Sequence, residues 1–172
     1  LVACAESGAL VLFGATERAQ RVAVANTPRV LALSADASTL IAQGESAQLT
    51  VYRTQPFAEV ARWTGAGVAL LSLSRDGALA LASYGHVSEL RRTHDGALVA
   101  RRALREPPSS QALAADGSQV ALGGRLGSLL LWSPESGGEV GLEGHRGTVV
   151  SLAFAPKGEL LASGSADRSI AL

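Results

Sequence analysis

Short apolar runs of four to eight residues, separated by Gly, Pro, Asp and Ser, divide this chain into strand-sized segments. Near the C-terminus Val149–Ala155 is one such run, and Pro156-Lys157-Gly158 breaks it. Leu160–Ser163 follows, Ser165-Ala166-Asp167-Arg168 breaks that in turn, and Ser169–Leu172 begins a third run. Runs of this length between turn residues predict β-strands, because packed helices need longer stretches. The same order recurs upstream as Val68–Ser74, Leu79–Ser83 and Val87–Arg92, and again as Ser110–Ala114, Gln119–Leu122 and Ser128–Ser133. A fourth run closes each set, at Ala58–Trp63, Leu98–Leu104 and Glu139–Leu142. Each set predicts a four-stranded antiparallel meander whose turns use Asp-Gly and similar pairs for their backbone angles. Ala and Leu, abundant in these runs, favour helix locally. The regular breakers outweigh that preference.

The breakers are also periodic. Leu33-Ser34-Ala35-Asp36-Ala37, Leu73-Ser74-Arg75-Asp76-Gly77, Leu113-Ala114-Ala115-Asp116-Gly117 and Phe154-Ala155-Pro156-Lys157-Gly158 recur every 40 or 41 residues. Self-similarity at that period means one supersecondary unit copied along the chain, each copy covering its neighbour's apolar face. The expected units are 30–63, 68–104 and 110–142, flanked by partial units at 1–25 and 149–172. In the first partial unit Leu1–Ala5 matches a second strand, Ala9–Phe13 a third and Gln20–Ala25 a fourth. The chain has no Met, and the expectation is an internal or truncated piece of a longer polypeptide that supplies the remaining units.

The last copy carries a resemblance. Gly144-His145, then Val149–Gly158, then Leu160–Leu172 with Ser163 and Asp167, resembles a WD repeat of a β-propeller, a repeat of about 40–45 residues with a Gly-His signature and a closing Trp-Asp. Upstream, Thr64-Gly65 and Arg105-Glu106 stand where Gly-His is expected. The Trp position falls on Tyr52, Arg92 and Trp132, with Ser133 in place of the closing Asp. The resemblance implies an all-β propeller of four-stranded antiparallel blades, seven in a closed ring, of which this chain holds an incomplete arc. It further implies a hydrogen-bonded structural network of His145, Ser163 and Asp167.

Composition mostly excludes. The chain has 15 basic and 15 acidic residues and a formal net charge of zero, so no general affinity for nucleic acid or an anionic membrane surface is expected. No apolar run approaches the length needed to span a bilayer and no signal peptide is visible. The compartment stays open, with the cytoplasm favoured. Cys4 has no intrachain disulfide partner and reads as a buried small residue, in the strand position assigned to Ser83 and Ser163 in other units. His86, His94 and His145 lie too far apart for metal-ligand spacing, so no metal site and no cofactor are expected. Ser163, His145 and Asp167 are the one Ser-His-Asp set easily drawn; the resemblance makes it structural rather than a nucleophilic triad. Gly123-Gly124-Arg125-Leu126-Gly127 precedes a strand and reads as a hairpin turn, not a phosphate cradle.

Function is then expected on surfaces. In a propeller the loops from fourth strand to next blade, and from second to third strand, gather on one face. Here they carry Arg29, Arg105, Arg125, Arg146 and Arg168, with Trp63, Tyr84 and His86 nearby. Arg and aromatic residues are enriched at binding hot spots, so this face is the candidate contact for an acidic peptide or protein. A second basic group, Arg91, Arg92, Arg101 and Arg102, is expected to repel across strands and to serve as solvated edge protection, with a docking patch as the alternative. The favoured reading is a noncatalytic protein-interaction scaffold within a larger regulatory or signalling protein. The alternative is a propeller segment of an enzyme, such as a quinoprotein dehydrogenase or a peptidase-associated propeller, against which the 4% aromatic content argues. Sequencing the flanking coding frame should reveal about 110 further residues of the same period. Stop codons on both sides would require the ring to close between chains, or would overturn it.

Overall fold

The computed structural model describes residues 2–6, 9–13, 20–23, 28–44, 47–65 and 67–172, with side chains from Pro28 onward. The side chain of Cys4 therefore lies outside the described part, as do Asn26, Thr27, Glu45, Ser46 and Ala66 of the expected loops. The described residues form five antiparallel sheets, each a simple meander. The first holds β1 (Val2–Glu6), β2 (Ala9–Phe13) and β3 (Gln20–Ala23). The second holds β4 (Val30–Leu33), β5 (Thr39–Gln43), β6 (Gln48–Thr54) and β7 (Phe57–Thr64). The third holds β8 (Leu70–Leu73), β9 (Leu79–Tyr84), β10 (Val87–Arg92) and β11 (Leu98–Ala103). The fourth holds β12 (Ser110–Leu113), β13 (Val120–Gly123), β14 (Leu129–Trp132) and β15 (Glu139–Leu142). The fifth holds β16 (Val149–Phe154), β17 (Leu161–Ser165) and β18 (Ile170–Ala171).

The first strands β4, β8, β12 and β16 lie side by side, and β1 lies against β4 as β13 lies against β16. Sheets fan outward from these inner strands, which is the all-β architecture of a propeller arc. Among the described second strands, β5, β9 and β13 are therefore sandwiched between neighbouring sheets. Leu40 and Ala42 of β5 face one way, with Tyr52 and Phe57, while Ile41 faces the other way into a cluster shared with Ala80 and Ala82 of the next sheet. Leu81, between those alanines, packs with Val120, Leu122 and Trp132 of the sheet beyond. Alternation along a strand sends successive side chains to opposite faces, and both faces are core here. That is why these runs read as continuously apolar although they belong to antiparallel sheets.

The hairpin turns between first and second strands repeat one device. Ser34 Oγ donates to Asp36 at 2.6 Å, and Asp36 accepts the Ser38 N–H at 2.9 Å. In the next copy Ser74 Oγ donates to Asp76 at 2.7 Å, and Asp76 accepts the Ala78 N–H at 3.0 Å. The residue after each turn aspartate has a positive φ: Gly77 at 69°, Gly117 at 76° and, without a glycine, Ala37 at 61°. Neighbouring turns are linked across sheets, Asp36 N–H to the Arg75 carbonyl at 3.2 Å and Arg75 N–H to the Ala115 carbonyl at 3.0 Å.

Strand register corrects two equivalences read from spacing. Tyr52 lies opposite Leu40 and Trp132 opposite Val120, but in the third sheet the corresponding residue, opposite Ala80, is Arg91 and not Arg92. The hairpin there pairs Tyr84 directly with Val87, one residue shorter than its counterparts. A one-residue slip exchanges the two faces. Likewise Ser83 lies opposite Leu70 whereas Ser163 lies opposite Leu152, one step nearer its turn, so the two serines point to opposite faces. The repulsion expected among the arginines of β10 and β11 is offset by carboxylates. Arg91 pairs with Glu89 at 2.9 Å, Arg92 with Asp95 at 3.0 Å and Arg102 with Glu139 at 2.6 Å, while Arg101 stands opposite Glu89 at 3.6 Å.

Two substitutions test this account. Leu81→Ala should lower stability by about 2–5 kcal/mol, because it opens a cavity between two sheets, read from the denaturant midpoint. Ala37→Gly should raise stability by roughly 0.5–1 kcal/mol, the relief of a left-handed alanine exceeding glycine's extra chain entropy. An unchanged or lower midpoint for Ala37→Gly would contradict the turn geometry.

Candidate interaction face

The loops between second and third strands and those between successive sheets interlock at one end of the arc. Thr148 Oγ1 donates to the Arg125 carbonyl at 2.9 Å, and Val149 N–H donates to the Gly124 carbonyl at 3.0 Å. On the other side of the same loop, Ser165 Oγ donates to the Gly147 carbonyl at 2.9 Å, and Ala166 N–H to the Thr148 carbonyl at 2.9 Å. Gly127 approaches the His145 backbone so closely that a Cβ would collide with the His145 carbonyl. Three loops, 124–127, 144–148 and 165–168, are thus stitched together through their backbones. Their side chains Arg125, Arg146 and Arg168 are exposed.

Beneath them lies the polar network. Asp167, at the turn between β17 and β18, accepts the Ser169 hydroxyl at 2.5 Å, the Ser169 N–H at 2.8 Å and the Arg146 N–H at 2.6 Å. His145 places Nδ1 at 2.8 Å from Ser169 Oγ and Nε2 at 2.8 Å from Ser163 Oγ. A carboxylate only accepts, so Ser169 spends its proton on Asp167 and takes an N–H from Nδ1 of His145. Nε2 shares the second hydrogen bond, with the Ser163 hydroxyl. Asp167 Oδ2 is also 3.5 Å from Nδ1. The His145 side chain is 5% exposed, and Ser163 is buried. The Ser169 hydroxyl first, then the Arg146 N–H, hold the Asp167 carboxyl well below the usual carboxylate range. Asp36, Asp76 and Asp116 are lowered by similar turn hydrogen bonds, from Ser34, Ala78 and Ser118 respectively.

Ser169 completes this network and was invisible to spacing alone. So was its counterpart one sheet earlier. Ser128 precedes β14 as Ser169 precedes β18, and it donates to Glu106 at 2.5 Å. Glu106 occupies the chain position corresponding to His145, so a carboxylate and serine there replace imidazole and serine. The readable signal was the recurrence of serine just before the third strand.

The other expected face residues differ in exposure. Trp63 is a correction: it is 8% exposed, packs in the cluster with Ile41, Leu49 and Val68, and is covered by Gly96 of the adjacent sheet. Its large ring contributes more by burial than by presentation. Tyr84 is half-buried at the border of that cluster, and burial followed by the Glu89 carboxylate pushes its phenol up. His86 is exposed, with Nδ1 at 3.2 Å from the Leu104 carbonyl. Arg29 is exposed and donates its N–H to the Gln43 carbonyl at 2.7 Å. Arg105 is exposed beside the groove between the third and fourth sheets. Among the described residues no group of three or more His, Cys, Asp or Glu is arranged to hold a metal ion.

Comparison with known proteins agrees with this geometry. The family model of the WD domain, G-beta repeat, matches residues 139–172. A chain in the crystal structure of the mitotic checkpoint complex superposes with a TM-score of 0.79 at 18% identity, over 95% of this chain. The chain spans about half the length of that matched structure, 53%. A search of curated proteins finds no match.

The depressed Asp167 value sets a pH dependence. A carboxylate whose folded pKa lies below its unfolded value of about 3.9 contributes stability above that pH and loses it as pH falls through the folded value. Asp167→Asn should therefore destabilise the protein at neutral pH and progressively less below about pH 4. A gap between the two denaturation midpoints that stays constant on acidification would contradict the assigned network.

Proposed function

We propose that this chain, in which residues 139–172 are a WD repeat and the other sheets continue the same propeller arc, is a noncatalytic protein-interaction scaffold, one module of a larger regulatory or signalling protein. The observation that carries this reading is the set of three loops whose backbones are tied to one another while Arg125, Arg146 and Arg168 stay exposed. A platform held in place before binding loses less entropy on association. Guanidinium groups on it match carboxylates through paired, charge-assisted hydrogen bonds. The partner is accordingly an acidic peptide or protein segment. The matched solved chain belongs to a protein assembly, which fits the same use.

The polar network supports a structural role over a catalytic one. Asp167 spends its acceptors on Arg146 N–H and on both Ser169 donors, and His145 turns Nδ1 to Ser169 rather than directly to the carboxylate. Its product is loop geometry, with Arg146 fixed by its own N–H. The propeller-enzyme alternative gains no specific observation.

Reversal of Arg125 and Arg146 to Glu should weaken binding of an acidic partner by at least about tenfold, and raising salt should weaken the unaltered protein in the same direction. Affinity capture from a lysate, quantified for both forms, reads this directly. Retention of every partner by the double variant would sink the proposal.

A further inference from the structure

The outer strand β15 differs from β7 and β11, the outer strands of the two preceding sheets, in how its free edge is guarded. An edge strand offers unpaired N–H and C=O groups to any chain that can extend alongside, and proteins blunt such edges with bulges and charges. In β7 Val60 is bulged out between Glu59 and Ala61, and Glu59 pairs with Arg62. In β11 Val99 is bulged out between Leu98 and Ala100, and Arg101 and Arg102 follow. β15 has neither protection. It pairs with β14 in unbroken register, carries glycine at 141, and its one charged residue, Glu139, is engaged by Arg102 at 2.6 Å.

The ladder shows which backbone groups are free. Ser133 N–H donates to the Gly138 carbonyl at 2.9 Å, and bonded pairs alternate along an antiparallel ladder. Leu131 with Val140 and Leu129 with Leu142 are therefore the next bonded pairs, and the N–H and C=O groups of Glu139 and Gly141 point away from the sheet. A Cβ built on Gly141 meets no atom within 4 Å, so another backbone can approach closely there. Side chains alternate as well. Val140 and Leu142, 55% and 41% exposed, share one face, while Glu139 and Gly141 share the other. Glu143 directly follows the strand and Glu135 lies in the turn before it. Both are exposed and have no ion-pair partner among the described residues.

We propose that β15 is a strand-addition site, which takes an extended protein segment alternating aliphatic and basic residues as a further strand of its sheet. The outward backbone groups of Glu139 and Gly141 supply the pairing, the means by which a peptide extends a sheet edge. Cross-strand neighbours set the pattern of the segment. Its aliphatic side chains lie beside Val140 and Leu142, and its Lys or Arg side chains fall on the face of Glu139, where Glu143 is free to pair. Charge thus separates this edge from the loop face, whose arginines select an acidic partner. Charge also argues against a second copy of the strand. Two β15 strands paired antiparallel about Gly141 would set Glu139 of one against Glu143 of the other, and like charges directly opposite destabilise a pair.

The test titrates the full chain with a short synthetic peptide alternating valine and lysine, followed residue by residue through amide hydrogen exchange. Binding should slow exchange at Glu139 and Gly141 by about tenfold, while Val140 and Leu142, already bonded to β14, change little. Two further peptides, N-methylated on all lysine amides or on all valine amides, should bind unequally, the set that faces β15 costing about tenfold. A peptide alternating valine and glutamate should bind more weakly than either parent or the less affected methylated form. Gly141→Pro removes an outward N–H without breaking a bond to β14, and should lose the peptide while thermal melting is unaltered. Glu143→Lys should weaken binding about threefold. Equal binding of the parent and both methylated peptides, or of the lysine and glutamate peptides, would overturn the proposal, and neither comparison depends on a variant that folds. So would the absence of binding. Self-association of the chain that Gly141→Pro abolishes would place a second copy on this edge and overturn it as well.

Discussion

Every described second strand with a sheet on both sides is buried on both of its faces, and this burial is the constraint on which the rest of the fold depends. Val120 and Ala121 are fully buried although they point in opposite directions, as are Leu40 and Ile41, and Ala80 and Leu81. A sheet in this arrangement has no private core. Its apolar residues are satisfied only when sheets stand on either side, so stability accrues through neighbour contacts in the manner of repeat proteins. The outermost strands show the converse. All four residues of β15 are exposed, and β7 and β11 carry charged residues at their solvent positions.

Between the sheets, polar groups fix how close and at what register neighbours stand. Gln111 on β12 donates to the Leu81 carbonyl at 3.0 Å and to Ser72 Oγ at 3.1 Å, and it accepts from Ser83 Oγ at 2.5 Å. Ser109 and Ser110 each donate to the Val149 carbonyl at 2.8 Å. Gly123 is small because it must be: a Cβ there would press on Ser110 Oγ and Val149. Apolar packing alone tolerates sliding, whereas hydrogen bonds to specific carbonyls do not. These contacts convert a stack of similar sheets into one defined arc.

The polar network at the loop end extends the same logic to the surface. His145 leaves the loop after β15 and reaches Ser163 on β17, so the imidazole links a connection to a buried strand while Asp167 holds the adjoining turn. Arg168, at φ 72°, occupies the position taken by Gly127 at φ 85° one sheet earlier. A non-glycine residue tolerates that conformation when neighbouring bonds over-determine it, and the Asp167 bonds to Ser169 and Arg146 supply them. Where the sequence changes, the device changes with it, as Glu106 and Ser128 replace the imidazole pair.

The period, the turn aspartates and the lengths of the apolar runs determined the number of strands per unit and their order, because these are local properties: a turn residue needs only its own neighbours to set its backbone angles. The His145, Ser163 and Asp167 set was legible through its resemblance to a known repeat. Register was not legible. One residue fewer in the Tyr84–Val87 hairpin moved the Trp-equivalent position from Arg92 to Arg91, a change that spacing between units conceals because the longer connection from β11 to β12 restores the count. Burial of Trp63 was equally hidden, since the sheet that covers it through Gly96 lies more than thirty residues away in the chain. Nor could the sequence show that Arg102 shares a groove with Gly141, or that each arginine of β10 and β11 meets a carboxylate. Those pairings arise from two sheets meeting face to face, and only the tertiary structure decides which faces meet.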